Sequence, residues 1–162
     1  MDDLSFRLAL VADHARLKEM IIESFEPITW FKKVDETYGP LNGCDWRRRW
    51  EKRVDAVFRT EIVLVGEAEL EIAACATGTF EQEAALGFID LLAVDQRRQG
   101  RGYGRAMLRG MLGHFQTLGA RYAHLDCLTD NEAGNGLYEA EGWNVVATSN
   151  RYFIELDAAK PR

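Results

Sequence analysis

Two spacings of apolar residues alternate along the 162-residue chain. Residues 6–10 alternate apolar with polar side chains as a short strand does, and Asp13 then stands where a helix N-cap accepts backbone N–H bonds. Leu17, Met20, Ile21 and Phe25 recur at three- and four-residue intervals on one face of the helix that follows. Pro27 closes it, because the proline ring excludes a further turn. Residues 27–45 show no clear period and carry Gly39, Pro40 and Gly43, so a long connection is expected there. Connections of that length are functional or disordered, and Trp30, Phe31 and Tyr38 are side chains a solvated linker does not need, which marks the segment as a candidate for substrate contact. A second amphipathic helix is predicted over residues 46–59, with Trp46, Trp50, Val54, Val57 and Phe58 on one side.

Strand-like runs follow at residues 62–66, 70–80 and 86–94, and the short acidic turns between them favour antiparallel neighbours. After Val94 the pattern changes to a glycine-rich turn and then a helix whose inner face is Met107, Leu108, Met111, Leu112, Phe115 and Leu118, stopped by Gly119. A strand at 122–128, a short helix at 131–141 ended by Gly142, and two last strands at 143–148 and 151–156 complete the chain. This order predicts an α/β layer arrangement: a mixed, mostly antiparallel sheet of six to seven strands flanked by about four helices. The length suits one domain spanning residues 1–162, without internal repeats.

Charge narrows the function classes. The net charge of −6 argues against a nucleic-acid partner and leaves a cationic substrate acceptable. The cluster of Arg47, Arg48, Lys52 and Arg53 is interleaved with Asp45, Glu51 and Asp55 and reads as a solvated helix face. No apolar run of about 18 residues exists, and the N-terminus opens on acids rather than the basic residues of a secretory signal, so a cytoplasmic protein without membrane contact is expected. Cys44, Cys75 and Cys127 are odd in number and widely spaced, which suggests reduced thiols rather than disulfides or a zinc clip. His14, His114 and His124 have no metal-ligand spacing, and no metal is expected.

The chemistry is concentrated in LLAVDQRRQGRGYGRAML, residues 91–108, where an apolar strand feeds a turn bearing Gly100, Gly102 and Gly104 that opens a helix. Alternating glycines let the backbone curl until successive N–H groups converge, and the helix N-terminus adds partial positive charge, a geometry that binds phosphate. Arg98, Arg101 and Arg105 add fixed charge suited to a pyrophosphate or a 3'-phosphate. A Walker loop needs Lys-Ser/Thr after its last glycine, and Gly104 is followed by Arg105 and Ala106. A dinucleotide fingerprint counted from Gly100 needs a third glycine where Arg105 stands.

The remaining pattern, Gln99-x-x-Gly102-x-Gly104 after Val94, resembles the acyl-CoA pyrophosphate loop of the GCN5-related N-acetyltransferases. Asn131, Leu137, Tyr138, Gly142 and Trp143 in DNEAGNGLYEAEGW match the spacing of that family's second motif. The resemblance covers about residues 86–145, the expected acyl-CoA-binding core, and element order extends it over the chain. Two positions depart from the pattern: Asp95 and Gln96 where the family often has proline, and Gly134 where it usually has alanine.

The resemblance implies the acyl-CoA N-acyltransferase fold, a sheet splayed between strands 4 and 5, and acetyl-CoA as co-substrate. The pantetheine arm would lie along the backbone of Leu92, Ala93 and Val94, the diphosphate on Gln99, Gly100, Arg101, Gly102, Tyr103, Gly104 and Arg105, and Asn131 would hold the far side of the arm. Tyr138 occupies the family's usual place for the acid that protonates the departing thiolate. Amine acetylation also needs a base, since alkyl amines resemble lysine with a pKa near 10.4. Asp90 is the first candidate, the only ionisable residue in the apolar run 86–94, and alternation puts it on the side of Phe88 and Leu92. Asp126, Glu81 and Glu83 are fallbacks.

The expected activity is therefore acetyl transfer from acetyl-CoA to an amine of a small molecule, received between the early helices and the open side of the sheet. Acetylation of a protein N-terminus or lysine, or a non-catalytic acyl-CoA-binding regulatory module, are the alternatives. Homodimers are common among similar proteins, but no segment announces an interface.

Overall fold

The computed structural model describes residues 3–156, and within them five strands form one sheet in the order β1-β2-β3-β4-β5. The strands are β1 (Ser5–Leu8), β2 (Ile62–Ala68), β3 (Glu71–Glu81), β4 (Leu86–Val94) and β5 (Tyr122–Leu125). The helices are α1 (His14–Phe25), α2 (Trp30–Tyr38), α3 (Trp46–Thr60), α4 (Tyr103–Thr117) and α5 (Glu132–Ala140). Strands β1 to β4 pair antiparallel in sequence order, as their short turns dictate, and β5 joins β4 in parallel, which requires the crossover that α4 supplies.

Alternation along the strands divides the core between two faces. Val63 and Val65 of β2, Cys75 of β3, and Leu91 and Ala93 of β4 pack against Leu17, Met20 and Ile21 of α1 and Trp50, Val54 and Val57 of α3. Leu64, Ala74, Ala76 and Ile89 face Met107, Leu108, Met111 and Phe115 of α4 on the other side. Close approach requires glycine at 78 and 87, where a Cβ would lie 2.0 Å from the Phe88 carbonyl oxygen and 2.4 Å from the Phe115 ring.

Four expectations change. The segment expected to be an aperiodic connection contains α2: Trp30, Phe31, Val34 and Tyr38 hold helical spacing, Thr29 accepts the Phe31 N–H at 3.2 Å as N-cap, and Gly39 at φ +74° ends the helix. Asp13 does not cap α1; its carboxylate reaches back to the Leu10 N–H at 2.7 Å and pairs with Arg7. Strand β5 stops at Leu125 rather than 128. Residues 143–148 and 151–156 form no strands, so the sheet has five strands among the described residues rather than six to seven. They find no ladder partner on β5, and Val145, Val146, Tyr152, Ile154 and Leu156 are left exposed.

The feature that positions the site is the limited pairing of β4 with β5. Only Leu86 to Ile89 are in register with Tyr122 to Leu125, so the sheet is open from Asp90 to Val94 on that side. Backbone groups there that point away from β3 lack a strand to bond among the described residues.

Candidate active site

The open half of β4 leads into a 3-10 turn, Gln96–Arg98, and then into α4. Asp95 starts the turn. Its carboxylate accepts from Arg16 Nη2 at 2.6 Å, Arg97 Nη2 at 2.8 Å and the Arg97 N–H at 3.0 Å, while its own N–H donates to the Ala73 carbonyl at 2.9 Å. This network anchors the turn to α1 and β3, the role that a proline would fill by rigidity alone. The Arg97 guanidinium foremost, together with the Arg97 N–H and Arg16, holds the Asp95 carboxyl down at about 2. Asp95→Asn should lower stability by about 1–3 kcal/mol, since a buried acceptor of several charged donors is weakened. A carboxyl depressed on folding stabilises fully above its ordinary range and loses that contribution as pH falls through about 2. Urea unfolding of wild type and variant should therefore differ at neutral pH and converge in strong acid.

Beyond the turn, Gly100 and Gly102 adopt φ of +77° and +84°, which glycine alone takes without strain. Gly102 is the N-cap of α4 and offers no side chain, and the first bond inside the helix runs from the Ala106 N–H to the Gly102 carbonyl at 3.1 Å. The N–H groups of Tyr103, Gly104 and Arg105 consequently have no partner within the helix and project from its positive end. Around Gly104 a Cβ would meet only Val94 Cγ2 at 3.8 Å and Leu137 Cδ2 at 3.9 Å, ordinary contacts. Packing therefore does not demand glycine there; an approaching anion would.

The flanking side chains divide unevenly. Arg98, expected to face a phosphate, is buried and pairs with Glu69 and Glu71, tying the turn to the β2–β3 connection. Tyr103 is buried against Ala68 and Ala73, so only its backbone is available to a ligand. Arg105 pairs with Glu141 at 2.9 Å, joining α4 to α5. Gln99 and Arg101 are exposed, and Arg101 makes no ion pair among the described residues.

Helix α5 brings the second motif beside the first. Asn131 is its N-cap, its Oδ1 accepting the Gly134 N–H at 3.1 Å. That cap explains the departure at 134, because a Cβ on Gly134 would lie 2.6 Å from Asn131 Nδ2 and 3.0 Å from Cys127 Sγ. Tyr138 packs with Trp143 on the α4 side of the sheet, with ring centroids 6.0 Å apart. Burial pushes its phenol up to about 12, so it keeps its proton across the neutral range, as a proton donor must.

Asp90 lies on the other face. The register of β3 with β4 shifts between Thr77, opposite Leu91, and Gly78, opposite Ile89, which leaves Asp90 as the extra residue of a bulge. The bulge breaks the alternation: Leu92 packs on the α4 side, whereas Asp90 accepts from Arg53 Nη2 of α3 at 2.8 Å. Asp90 therefore does not share a face with Leu92, contrary to the simple alternation. Glu61, between α3 and β2, reaches the same bulge, and the sequence held no signal for it because an acid between a helix and a strand is unremarkable. Of the fallback bases, Glu81 accepts the N–H groups of Glu83 and Ala84 in its own turn, and Glu83 and Asp126 are exposed.

Helix α2 contacts the segments that follow β5: Lys33 pairs with Asp130, the Arg151 guanidinium sits 4.5 Å from the Trp30 ring, and the Tyr38 and Phe153 rings are 4.8 Å apart. Among the described residues no group of His, Cys, Asp and Glu could hold a metal ion, and no helix is long and apolar enough to cross a membrane.

The family model described as “Acetyltransferase (GNAT) family” matches residues 24–143. Curated protein sequences give no match. The fold is similar to that of the PaiA N-acetyltransferase of Thermoplasma acidophilum, solved in complex with coenzyme A, with TM-score 0.69 and 14% identity over 91% of this chain and 93% of that one. It is also similar to a ribosomal-protein-alanine N-acetyltransferase from Brucella melitensis biovar Abortus 2308, with TM-score 0.64 and 12% identity over 94% and 99% of the two chains. AAC(6')-Iy bound to the bisubstrate analogue CoA-S-monomethyl-acetylneamine gives TM-score 0.64 and 9% identity over 94% and 99%. With the family match covering most of the length and the whole architecture shared, the chain belongs to the GNAT acetyltransferase family.

Proposed function

We propose that this protein is a single-domain enzyme that transfers an acetyl group from acetyl-CoA to the amine of a small molecule. The observation that carries the reading is the uncapped N-terminus of α4, entered through left-handed Gly100 and Gly102 directly after the open half of β4. A diphosphate fits the free N–H groups of residues 103–105, with Arg101 adding charge from outside. The amides of a pantetheine arm fit the unpaired edge of Leu92, Ala93 and Val94, as an added strand would. Asn131 holds the opposite wall through its cap of α5.

Bound acetyl-CoA would supply the activated acyl group. Of the two backbone donors, the Leu92 N–H faces the open edge, because the Asp95 N–H bonds β3 and alternation turns the Ala93 N–H to β3 as well, so Leu92 would donate to an oxygen gaining charge. Because the sheet is open from Asp90 onward, a group lying in the opening can be reached from both faces. Proton removal belongs to the carboxyl cluster around Asp90 on the α3 face, and proton donation to Tyr138 on the α4 face. The aromatic residues of α2, covered by Arg151 and Phe153 of the C-terminal segment, favour an enclosed acceptor over an extended peptide.

The test is to incubate the purified protein with acetyl-CoA and a panel of small amines and of peptides with free N-termini or lysines, and to follow free thiol. Release should depend on added small amine. Release with peptides alone would move the acceptor to proteins, and none with any acceptor would remove the catalytic reading.

A further inference from the structure

Four polar side chains from three elements and a junction meet at the β4 bulge: Arg53 of α3, Glu61 between α3 and β2, Thr77 of β3 and Asp90 of β4. Arg53 and Asp90 form an ion pair at 2.8 Å, with the Asp90 carboxylate 14% exposed. Glu61 is left over. Among the described residues, neither its Oε2 nor the completely buried Thr77 Oγ1 has a partner at hydrogen-bonding geometry, although the Thr77 hydroxyl faces the Glu61 carboxyl. Buried acceptors are nearly always satisfied, and here the donor that faces the Glu61 carboxyl, the Thr77 hydroxyl, stands outside hydrogen-bonding geometry, which leaves the carboxyl able to take up a proton.

The position is also specific. Asp90 is the first residue of β4 beyond the stretch paired with β5, so the four groups stand where the sheet opens. Resting on the acetyl-transfer reading above, we propose that Glu61 is the proton acceptor for the incoming ammonium of the acceptor substrate, with Asp90 and Arg53 as its positioning residues.

In the balanced step the ammonium gives one proton to Glu61, which later passes it to solvent. The nitrogen lone pair forms the C–N bond as the thioester C–S bond breaks. Sulfur takes the phenolic proton of Tyr138, and the second proton of the nitrogen restores the phenol. Burial foremost, then Asp90, pushes the Glu61 carboxyl up to about 7, while Thr77 and Arg53 oppose the rise. A base near the working pH accepts a proton from an alkyl ammonium far better than an ordinary carboxylate does. Asp90 is less suited, because its oxygen is already engaged by Arg53.

The experiment combines pH–rate profiles with carboxyl carbon NMR of the protein without substrates. Wild type should show an acid limb in kcat/KM near pH 7 and a Glu61 carboxyl titrating with it. Glu61→Gln should lose that limb and about a hundredfold in kcat/KM, with acetyl-CoA affinity by calorimetry unchanged. Asp90→Asn removes the neighbouring charge and should move the limb to lower pH, and Arg53→Gln should move it up; a purely structural role would shift neither. A Glu61 carboxyl titrating in the ordinary range, or a Glu61→Gln variant that keeps both rate and limb, overturns the proposal while leaving acetyl transfer intact. Loss of acetyl-CoA binding by wild type would instead sink the underlying reading and the proposal with it.

Discussion

Tyr138→Phe should lower kcat by about a hundred- to a thousandfold, the usual weight of one well-placed proton donor, while acetyl-CoA binds as tightly as to wild type. The expectation rests on what the substitution removes and what it keeps. Phenylalanine retains the packing against Trp143 and the α4 face, so folding should change by less than about 1 kcal/mol. Only the phenolic proton disappears, and in wild type burial holds that proton up to about 12. A thiolate leaving without a donor must take its proton from solvent through the opening. The measurement is steady-state turnover with the best acceptor, beside calorimetry for the coenzyme. Turnover unchanged in the variant would reduce Tyr138 to a packing aromatic.

Much of the fold was legible because most elements carry an undisturbed period. The apolar spacing of residues 17–25, 46–58 and 107–118 places α1, α3 and α4, and alternation places β2, β3 and β4. The misses have local causes. Helix α2 hid because two adjacent aromatics, Trp30 and Phe31, blur a nine-residue pattern, and its N-cap, Thr29, also accepts the Trp50 indole N–H at 2.6 Å, a contact no local window reveals. The two last strands had adequate β-propensity but do not pair with the outer edge of β5, and a strand is defined by its neighbour.

The site divides along the same line. Glycine at 100 and 102 could be read directly, since positive φ selects it. Arginine roles could not, because partners decide them: Arg98 belongs to Glu69 and Glu71, and Arg105 meets Glu141. Asp90 was visible as an acid in an apolar run, but the bulge that turns it toward Arg53 is set by pairing with β3. Glu61 was invisible for the same reason, as its neighbours come from β3, β4 and α3.

Gly102→Val should weaken acetyl-CoA binding by about a thousandfold, the equivalent of losing one or two charge-assisted hydrogen bonds together with the turn that aims them. Valine at φ +84° is strained by about 1–3 kcal/mol, so the helix entry must rearrange and the N–H groups of residues 103–105 no longer converge. The core contacts of α4, Met107 to Phe115, lie further along the helix than its altered entry, and the variant should remain folded, as thermal unfolding would show. Titration calorimetry of acetyl-CoA into wild type and Gly102→Val is the most direct test. The account predicts clear binding to wild type and almost none to a folded variant; equal affinity in the two would place the diphosphate away from α4.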